Sequence, residues 1–216
     1  MWSRRRRRFF TVSDMRDRDL VRLYWPVDLR PAFDALFAID DAMAEVVAAA
    51  SQPALGAIKL AWWREALVRL DGAPPPPEPR LKAVADHLIP RGVSGAMIAG
   101  IEDGWTTLLD EERNIERIAA RGERLFAIGA VLLGDADDRL AEAGRLFARN
   151  DVARRGLMDT HVVPPAHHRF PRRLRPLTAL AKLAARDARR GWPAESEATP
   201  GRAAALLSHR LFGTIA

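Results

Sequence analysis

The sequence contains no cysteine among its 216 residues. Disulfide bonds, zinc sites with thiolate ligands, iron–sulfur clusters and cysteine nucleophiles are therefore excluded. The chain also lacks a G-x-S-x-G nucleophile elbow and a glycine-rich phosphate loop. These absences argue against an α/β-hydrolase and against a P-loop nucleotide hydrolase.

No stretch of the chain reaches the roughly 18 consecutive apolar residues that a membrane span requires. The segment SRRRRRFF at residues 3–10 looks like a twin-arginine signal. A signal needs an apolar stretch next, but residues 11–22 are rich in Asp and Arg, so the signal interpretation fails. We expect a cytoplasmic protein, or one at the periphery of the inner membrane.

Positive charge is concentrated in two places. The formal net charge is +6, but the arginine run at residues 4–8 supplies five charges, and the rest has 29 basic and 28 acidic residues. We predict that residues 1–12 are a basic, flexible arm. Residues 145–190 carry twelve Arg or Lys and three Asp, which favours contact with diphosphate or anionic lipid. An RNA- or membrane-binding module is the weakest alternative because the chain outside these two basic stretches is near neutral. We predict no nucleic-acid partner.

The apolar residues repeat at three- and four-residue spacing nearly everywhere, and no convincing period-2 alternation is present. This pattern predicts an all-α fold, a single helical bundle of about eight or nine helices over residues 13–216. We predict one short helix that ends near Tyr24. The further helices are predicted at about 31–50, 53–70, 79–89, 93–110, 111–133, 136–155, 173–190 and 200–212.

Several side chains are candidates for chemistry. Asp41 and Glu45 lie one helical turn apart, a spacing that can hold Mg²⁺ with bound phosphates if carboxylates on a facing helix help. Asp151 is the candidate on that facing helix, but arginines follow it. The adjacent Trp62 and Trp63 point about 100° apart, so one is expected in the core and the other at a second contact or cavity. The histidines of a proline-rich loop lack a further ligand at zinc spacing: His161, His167 and His168.

Five segments resemble squalene/phytoene synthases. They are YWPVDLRPAFDALFA at residues 24–38, SQP at 51–53, IKLAWWRE at 58–65, LFAIGAVLLG at 125–134 and FPRRLRPL at 170–177. The third looks like the family's R-L-x-W-W-R-D helix, and the fourth like its L-F-x-x-A-x-L-L-G helix. The resemblance covers about residues 20–190 and implies the isoprenoid synthase fold.

The departures from that family concern its metal ligands. An active synthase carries two D-x-x-x-D motifs on facing helices, which hold Mg²⁺ against the diphosphates of two prenyl substrates. Here the first motif falls at Ala44, Glu45 and Ala48, and the second near Asp151, with Arg155 in place of an aspartate. Asp41, Glu45 and Asp151 are therefore interpreted as vestigial acidic positions, with no metal and no cofactor expected.

The resemblance is closer to a non-catalytic branch of the family, which includes mitochondrial complex I assembly factors. It implies a pseudoenzyme that holds an isoprenoid or lipid-like ligand, or a protein partner, in the former substrate cavity. The cavity candidates are Phe37, Trp62 and Trp63, and the anion-binding candidates are Arg30, Arg64 and Arg149. The alternative is an active Mg²⁺-dependent prenyltransferase that condenses two prenyl diphosphates.

Overall fold

The computed structural model describes residues 15–159, 163 and 166–215, and these residues form a helical bundle without a β-strand. The α-helices are α1 (Asp17–Arg22), α2 (Arg30–Ala48), α3 (Pro53–Arg69), α4 (Pro79–His87), α5 (Gly95–Ala99), α6 (Glu102–Thr106), α7 (Ile115–Leu133), α8 (Leu140–Arg154), α9 (Arg175–Arg190) and α10 (Pro200–Phe212). Helices α5 and α6 are two pieces of one interrupted segment, which leaves nine helical segments in the described ranges. The predicted all-α bundle of eight or nine helices is confirmed.

Proline and polar side chains mark the starts of most long helices. A proline occupies the first or second position of five of them, where its missing N–H breaks no helical hydrogen bond: Pro31, Pro53, Pro79, Pro176 and Pro200. The side chains of Glu78 and Thr199 accept hydrogen bonds from the first turns of α4 and α10. These local signals explain why the predicted starts of α2, α3 and α10 lie within a residue or so of the observed ones.

The prediction of one helix at residues 93–110 is wrong. The segment consists of α5, α6 and a 3₁₀ turn at Thr107–Leu109, with Gly100 and Ile101 between the two helices. The apolar spacing continues through this break, so periodicity alone does not reveal it. The arm predicted at residues 1–12 lies outside the described residues, and α1 begins at Asp17.

Helices α7 and α8 form the centre of the bundle. They pack against each other along most of their length, with α6 against α7 and α9 against α8. Helix α2 contacts α3, α4, α6 and α7, and α10 packs on α9. The two central backbones come closest where Gly122 faces the carbonyl of Gly144, leaving no room for a Cβ at either position. None of the described helices is both long and apolar enough to cross a membrane.

Replacing Gly122 by Ala tests this close crossing. We expect the variant to lower the free energy of unfolding by about 3 kcal/mol, because the new methyl group meets backbone that cannot move aside cheaply. Gly72→Ala is the matched control, since a Cβ there meets nothing within 4 Å. Urea unfolding followed by circular dichroism gives both values; equal midpoints for the two variants would contradict the crossing.

A buried histidine ties α10 to α9 and to the residues that follow α10. His209 is fully buried, its Nδ1 donates to the Thr214 carbonyl oxygen at 2.9 Å, and the Thr178 hydroxyl lies 2.9 Å from its Nε2. A carbonyl only accepts, so this geometry assigns a proton to Nδ1. The Thr178 hydroxyl beside Nε2 also lies within donating distance of the Leu174 carbonyl oxygen, at 3.1 Å. Burial, with Lys182 and Arg175 nearby, lowers the pKa of His209 to about 4.

Stability is therefore expected to fall as the pH falls. His209 stays neutral in the folded state but has a pKa of about 6.5 in the unfolded chain. The unfolded state therefore binds a proton that the folded state does not, and acid favours unfolding. The loss begins below pH 6.5, reaches about 2 kcal/mol at pH 5 and is complete near pH 4. Urea unfolding at several pH values measures this loss of unfolding free energy. If His209→Gln loses stability with falling pH to the same extent, the loss comes from other groups.

Candidate functional site

Two acidic positions of α2 and one of α8 approach each other across α7. Asp40 lies on the buried face of α2, between Ile39 and Met43, and Asp41 is partly exposed beside it. Asp151 lies near the end of α8. Arg121 lies on the buried face of α7 and reaches both helices.

Asp40 is held in the protein interior by two donors. The indole Nε1 of Trp105 donates to its Oδ1 at 2.8 Å, and Nη1 of Arg121 donates to the same oxygen at 3.2 Å. The side chains of Asp40 and Arg121 are both 0% exposed. The Arg121 guanidinium also stacks over the Trp105 ring, with Cζ 3.9 Å from the ring centroid. Burial raises the pKa of Asp40, and the charge of Arg121 opposes that rise.

The other carboxylates are paired with arginines in the same chain of contacts. Asp151 accepts from Arg121 Nη2 at 2.7 Å through one oxygen and from Arg155 Nε at 3.0 Å through the other. Asp41 accepts from Arg155 Nη2 at 2.7 Å and from Arg18 Nη1 at 2.6 Å, again through different oxygens. These three carboxylates and three guanidiniums alternate and balance in charge. We call them the Asp–Arg network, composed of Asp40, Arg121, Asp151, Arg155, Asp41 and Arg18.

The network fixes the ionisation of its members. Burial opposes the charge on Asp151, but Arg121, Arg155 and Arg18 outweigh that effect and lower its pKa to about 2. Burial likewise opposes the charge on Arg155, and the carboxylates of Asp151, Asp40 and Asp41 raise its pKa above the usual value. Asp151 and Arg155 are thus held in their charged forms at neutral pH.

A cleft of about 500 Å³ opens beside the network, among α1, α2, α8, α9 and α10. Its apolar part is formed by Phe147, Leu180 and Leu183, and charged groups of both signs surround it. A second buried ion cluster closes the far side, where Arg202 pairs with Asp17 and with Asp187. The cleft has the size of a small-molecule site, with an apolar floor and a polar rim.

The predicted acidic positions separate into two groups. Asp41 and Asp151 line the cleft and are joined through Arg155. Glu45 does not join them: its side chain is 65% exposed and pairs with Arg80 at 3.1 Å on the outer surface. Asp40 and Arg121, which the sequence patterns did not single out as a site, form the buried half of the network instead.

The predicted cavity residues do not surround one space. Phe37 is buried between Phe33 and Phe147, and its ring lies under the Arg18 guanidinium. Trp63 is in the core, while Trp62 is half-exposed and meets it edge to face at 5.1 Å. Neither tryptophan lines the cleft.

The predicted anion-binding arginines also lie away from the cleft. Arg30 donates to the carbonyl oxygens of Trp25 and Leu23, and so holds the turn before α2. Arg64 is exposed and lies 3.7 Å from Glu102. Arg149 pairs with Glu116 at 2.6 Å, on the outer surface of the α7–α8 pair.

The donor set of the site does not suit a metal ion. Among the described residues, no group of three or more acidic or histidine side chains is arranged to hold one. The four oxygens of Asp41 and Asp151 are each taken by a guanidinium. His168 contacts Asp137 at 2.9 Å, and neither residue lines the cleft; His161 lies outside the described ranges.

Replacing Arg121 by Gln tests whether the network holds the bundle together. The variant leaves Asp40 and Asp151 in the interior without their shared cation, and we expect a loss of about 3–5 kcal/mol at pH 7. Arg80→Gln removes an exposed partner of Glu45 and is expected to cost less than about 1 kcal/mol. Both are measured by urea unfolding.

The pH dependence of that loss provides a second check. The contribution of Asp151 is present above its unfolded pKa of 3.8 and is lost as the pH falls toward about 2. The difference between Arg121→Gln and the unaltered protein should therefore shrink in acid. A difference that is small at pH 7 or constant with pH would show that Arg121 does not stabilise Asp151.

No protein-family model, no curated protein and no solved structure matches this chain. The likeness to squalene/phytoene synthases stays a prediction from the sequence.

Proposed function

We propose that this chain is a squalene/phytoene synthase-like protein that is catalytically degenerate. It acts by holding a lipid-like ligand or a protein partner and does not join prenyl diphosphates. The observation that supports this proposal is the position of Arg155, whose guanidinium lies between Asp41 and Asp151, 2.7 Å and 3.0 Å from their oxygens. In a synthase of that family, Mg²⁺ and diphosphate would lie between carboxylates of two facing helices.

Arginine in this position opposes metal binding for two reasons. Mg²⁺ needs several oxygen ligands in near-octahedral geometry, and each oxygen of Asp41 and Asp151 already accepts from an arginine. A divalent cation would also lie within a few ångströms of fixed guanidinium charges, which repel it. The carboxylates of α2 and α8 thus hold the helices together.

The space left beside the network supports a binding role. The cleft of about 500 Å³ keeps an apolar floor at Phe147, Leu180 and Leu183 and a rim of mixed charge. Such a site suits a ligand with an apolar chain and a polar head, held by burial and by hydrogen bonds without a metal.

The absence of prenyl transfer is tested directly. Incubation of the protein with farnesyl or geranylgeranyl diphosphate, Mg²⁺ and NADPH is expected to yield no squalene or phytoene. Product that disappears in Asp41→Asn and in Asp151→Asn would overturn the proposal in favour of the active prenyltransferase. Tryptophan fluorescence titrated with farnesyl diphosphate is the companion measurement, and we expect any saturable change to be unaffected by EDTA.

Placing an aspartate at position 155 tests, without any assay of activity, whether Arg155 occupies the place of a metal ion between Asp41 and Asp151. Arg155→Asp places a third carboxylate one turn from Asp151 and frees oxygens of Asp41 and Asp151. We expect Mg²⁺ to stabilise this variant by about 1.4 kcal/mol at ten times its Kd, and to leave the unaltered protein unchanged.

Arg80→Asp is the matched control for that experiment. It makes the same charge change beside Glu45, whose side chain is 65% exposed on the outer surface. Thermal unfolding with and without Mg²⁺ compares the three proteins. Stabilisation of the unaltered protein, or equal responses of the two variants, would contradict a former metal site between α2 and α8.

A further inference from the structure

A second and larger groove lies at the amino-terminal end of α9 and is lined by no residue of the Asp–Arg network. Its volume is about 730 Å³, and it runs among the start of α9, the end of α10 and the turn before α2. The floor is apolar, formed by Leu29, Leu133, Pro176, Ala179 and Leu206. Four arginines line it as well: Arg172, Arg173, Arg175 and Arg210.

These arginines have no acidic partner. In the described parts of the chain, none of the four forms an ion pair with a carboxylate, and Asp28 is the one acidic residue that lines the groove. Arg175 donates to the carbonyl oxygens of Phe170, Arg210 and Leu211. Burial, together with Arg169 and Arg172, lowers the pKa of Arg175, as expected where positive charges crowd together. The groove therefore has an excess of positive charge over a near-neutral protein.

Exposed apolar side chains lie beside the groove, on α10 and on the turn before α2. On α10, Leu207 is 53% exposed, Leu211 59% and Phe212 58%, and the first two are one turn apart. Leu23 and Val27, next to the Tyr24 and Pro26 that line the other wall, are exposed too. Apolar side chains beside unpaired arginines form the surface that lies in the headgroup region of a membrane. We call this surface, made of Arg172, Arg173, Arg210, Leu207, Leu211 and Phe212, the α10 face.

We propose that the α10 face docks the protein onto an anionic lipid bilayer. The arginines meet lipid phosphates, and the leucines and Phe212 enter the boundary between headgroups and acyl chains. A nucleic acid would satisfy the arginines but would leave the apolar side chains of α10 in water, and an acidic protein surface would do the same unless it also carried an apolar patch. The proposal does not depend on the loss of catalysis, since the α10 face and the Asp–Arg network share no residue.

Sedimentation of the full chain with lipid vesicles tests the docking. We expect binding to phosphatidylcholine vesicles that contain phosphatidylglycerol, little binding to pure phosphatidylcholine, and weaker binding at high salt. Equal partition to both kinds of vesicle, or none to either, would overturn the proposal.

Charge reversal locates the contact. In Arg172→Glu/Arg173→Glu we expect partition to anionic vesicles to fall roughly 25-fold or more, about fivefold for each arginine lost. Lys59→Glu/Arg69→Glu makes the same change of charge at exposed positions of α3, a helix that packs on α2, α5 and α6. This control should bind within about twofold of the unaltered protein, since screening limits the reach of a remote charge. Equal losses in both variants would indicate general attraction without a docking face.

The arginine run at residues 4–8 is a competing source of lipid binding. A variant with glutamine at all five positions separates the two, because it leaves the α10 face intact. We expect it to keep its preference for anionic vesicles and its sensitivity to Arg172→Glu/Arg173→Glu. Complete loss of binding in the glutamine variant, with full binding in the charge-reversal variant, would assign the membrane contact to the run and overturn the proposal.

The absence of cysteine allows insertion to be observed at single positions. Leu211→Cys and Val68→Cys each place one thiol at an exposed apolar site, on α10 and on α3. With an environment-sensitive dye attached, we expect the emission at position 211 to shift to the blue on anionic vesicles and that at position 68 to stay unchanged. A shift at 68 alone, or at neither position, would place the α10 face away from the lipid.

Discussion

The bundle depends on one buried cation, the guanidinium of Arg121. It lies among Trp105, Asp40 and Asp151, and so joins α6, α2 and α8 to α7. A charge with no exposed surface is stable there only because two carboxylates and an aromatic ring replace its hydration shell. The crossing of α7 and α8 at Gly122, the next residue, brings α8, which carries Asp151, close to the helix of that cation.

The same arrangement decides what the site can do. Carboxylates on two facing helices would make a metal site if their oxygens were free, but here arginines from α1, α7 and α8 take them. Ion pairs of this kind favour one arrangement of the helices over others and leave no vacant ligand position for a cation. The cleft beside them, lined by charged groups and by Phe147, Leu180 and Leu183, has a volume of about 500 Å³, and we therefore propose a binding function.

Much of the fold follows from local sequence signals, whereas half of the site does not. Pro31, Pro53 and Pro200 set helix starts that could be read directly. The one-turn spacing to Glu45 predicts Asp41, and the search for a carboxylate on a facing helix predicts Asp151. Arg121 was missed because only tertiary packing shows that its face of α7 is buried. The available signal was its position between Ile118 and Leu125, on the apolar side of a strongly amphipathic helix. Glu45 fits the family spacing but faces away from α8, which spacing along one helix cannot reveal.

The alternation of charge in the Asp–Arg network also constrains how this sequence can change. Arg121, Asp151 and Arg155 each have two partners of opposite sign, and Asp40 has one, so a single replacement leaves at least one charge in a poorly hydrated place. Substitutions at positions 40, 121, 151 and 155 are therefore coupled, and tolerated ones are expected in pairs. In a set of related sequences these positions would vary together, although they lie up to 115 residues apart, as Asp40 and Arg155 do.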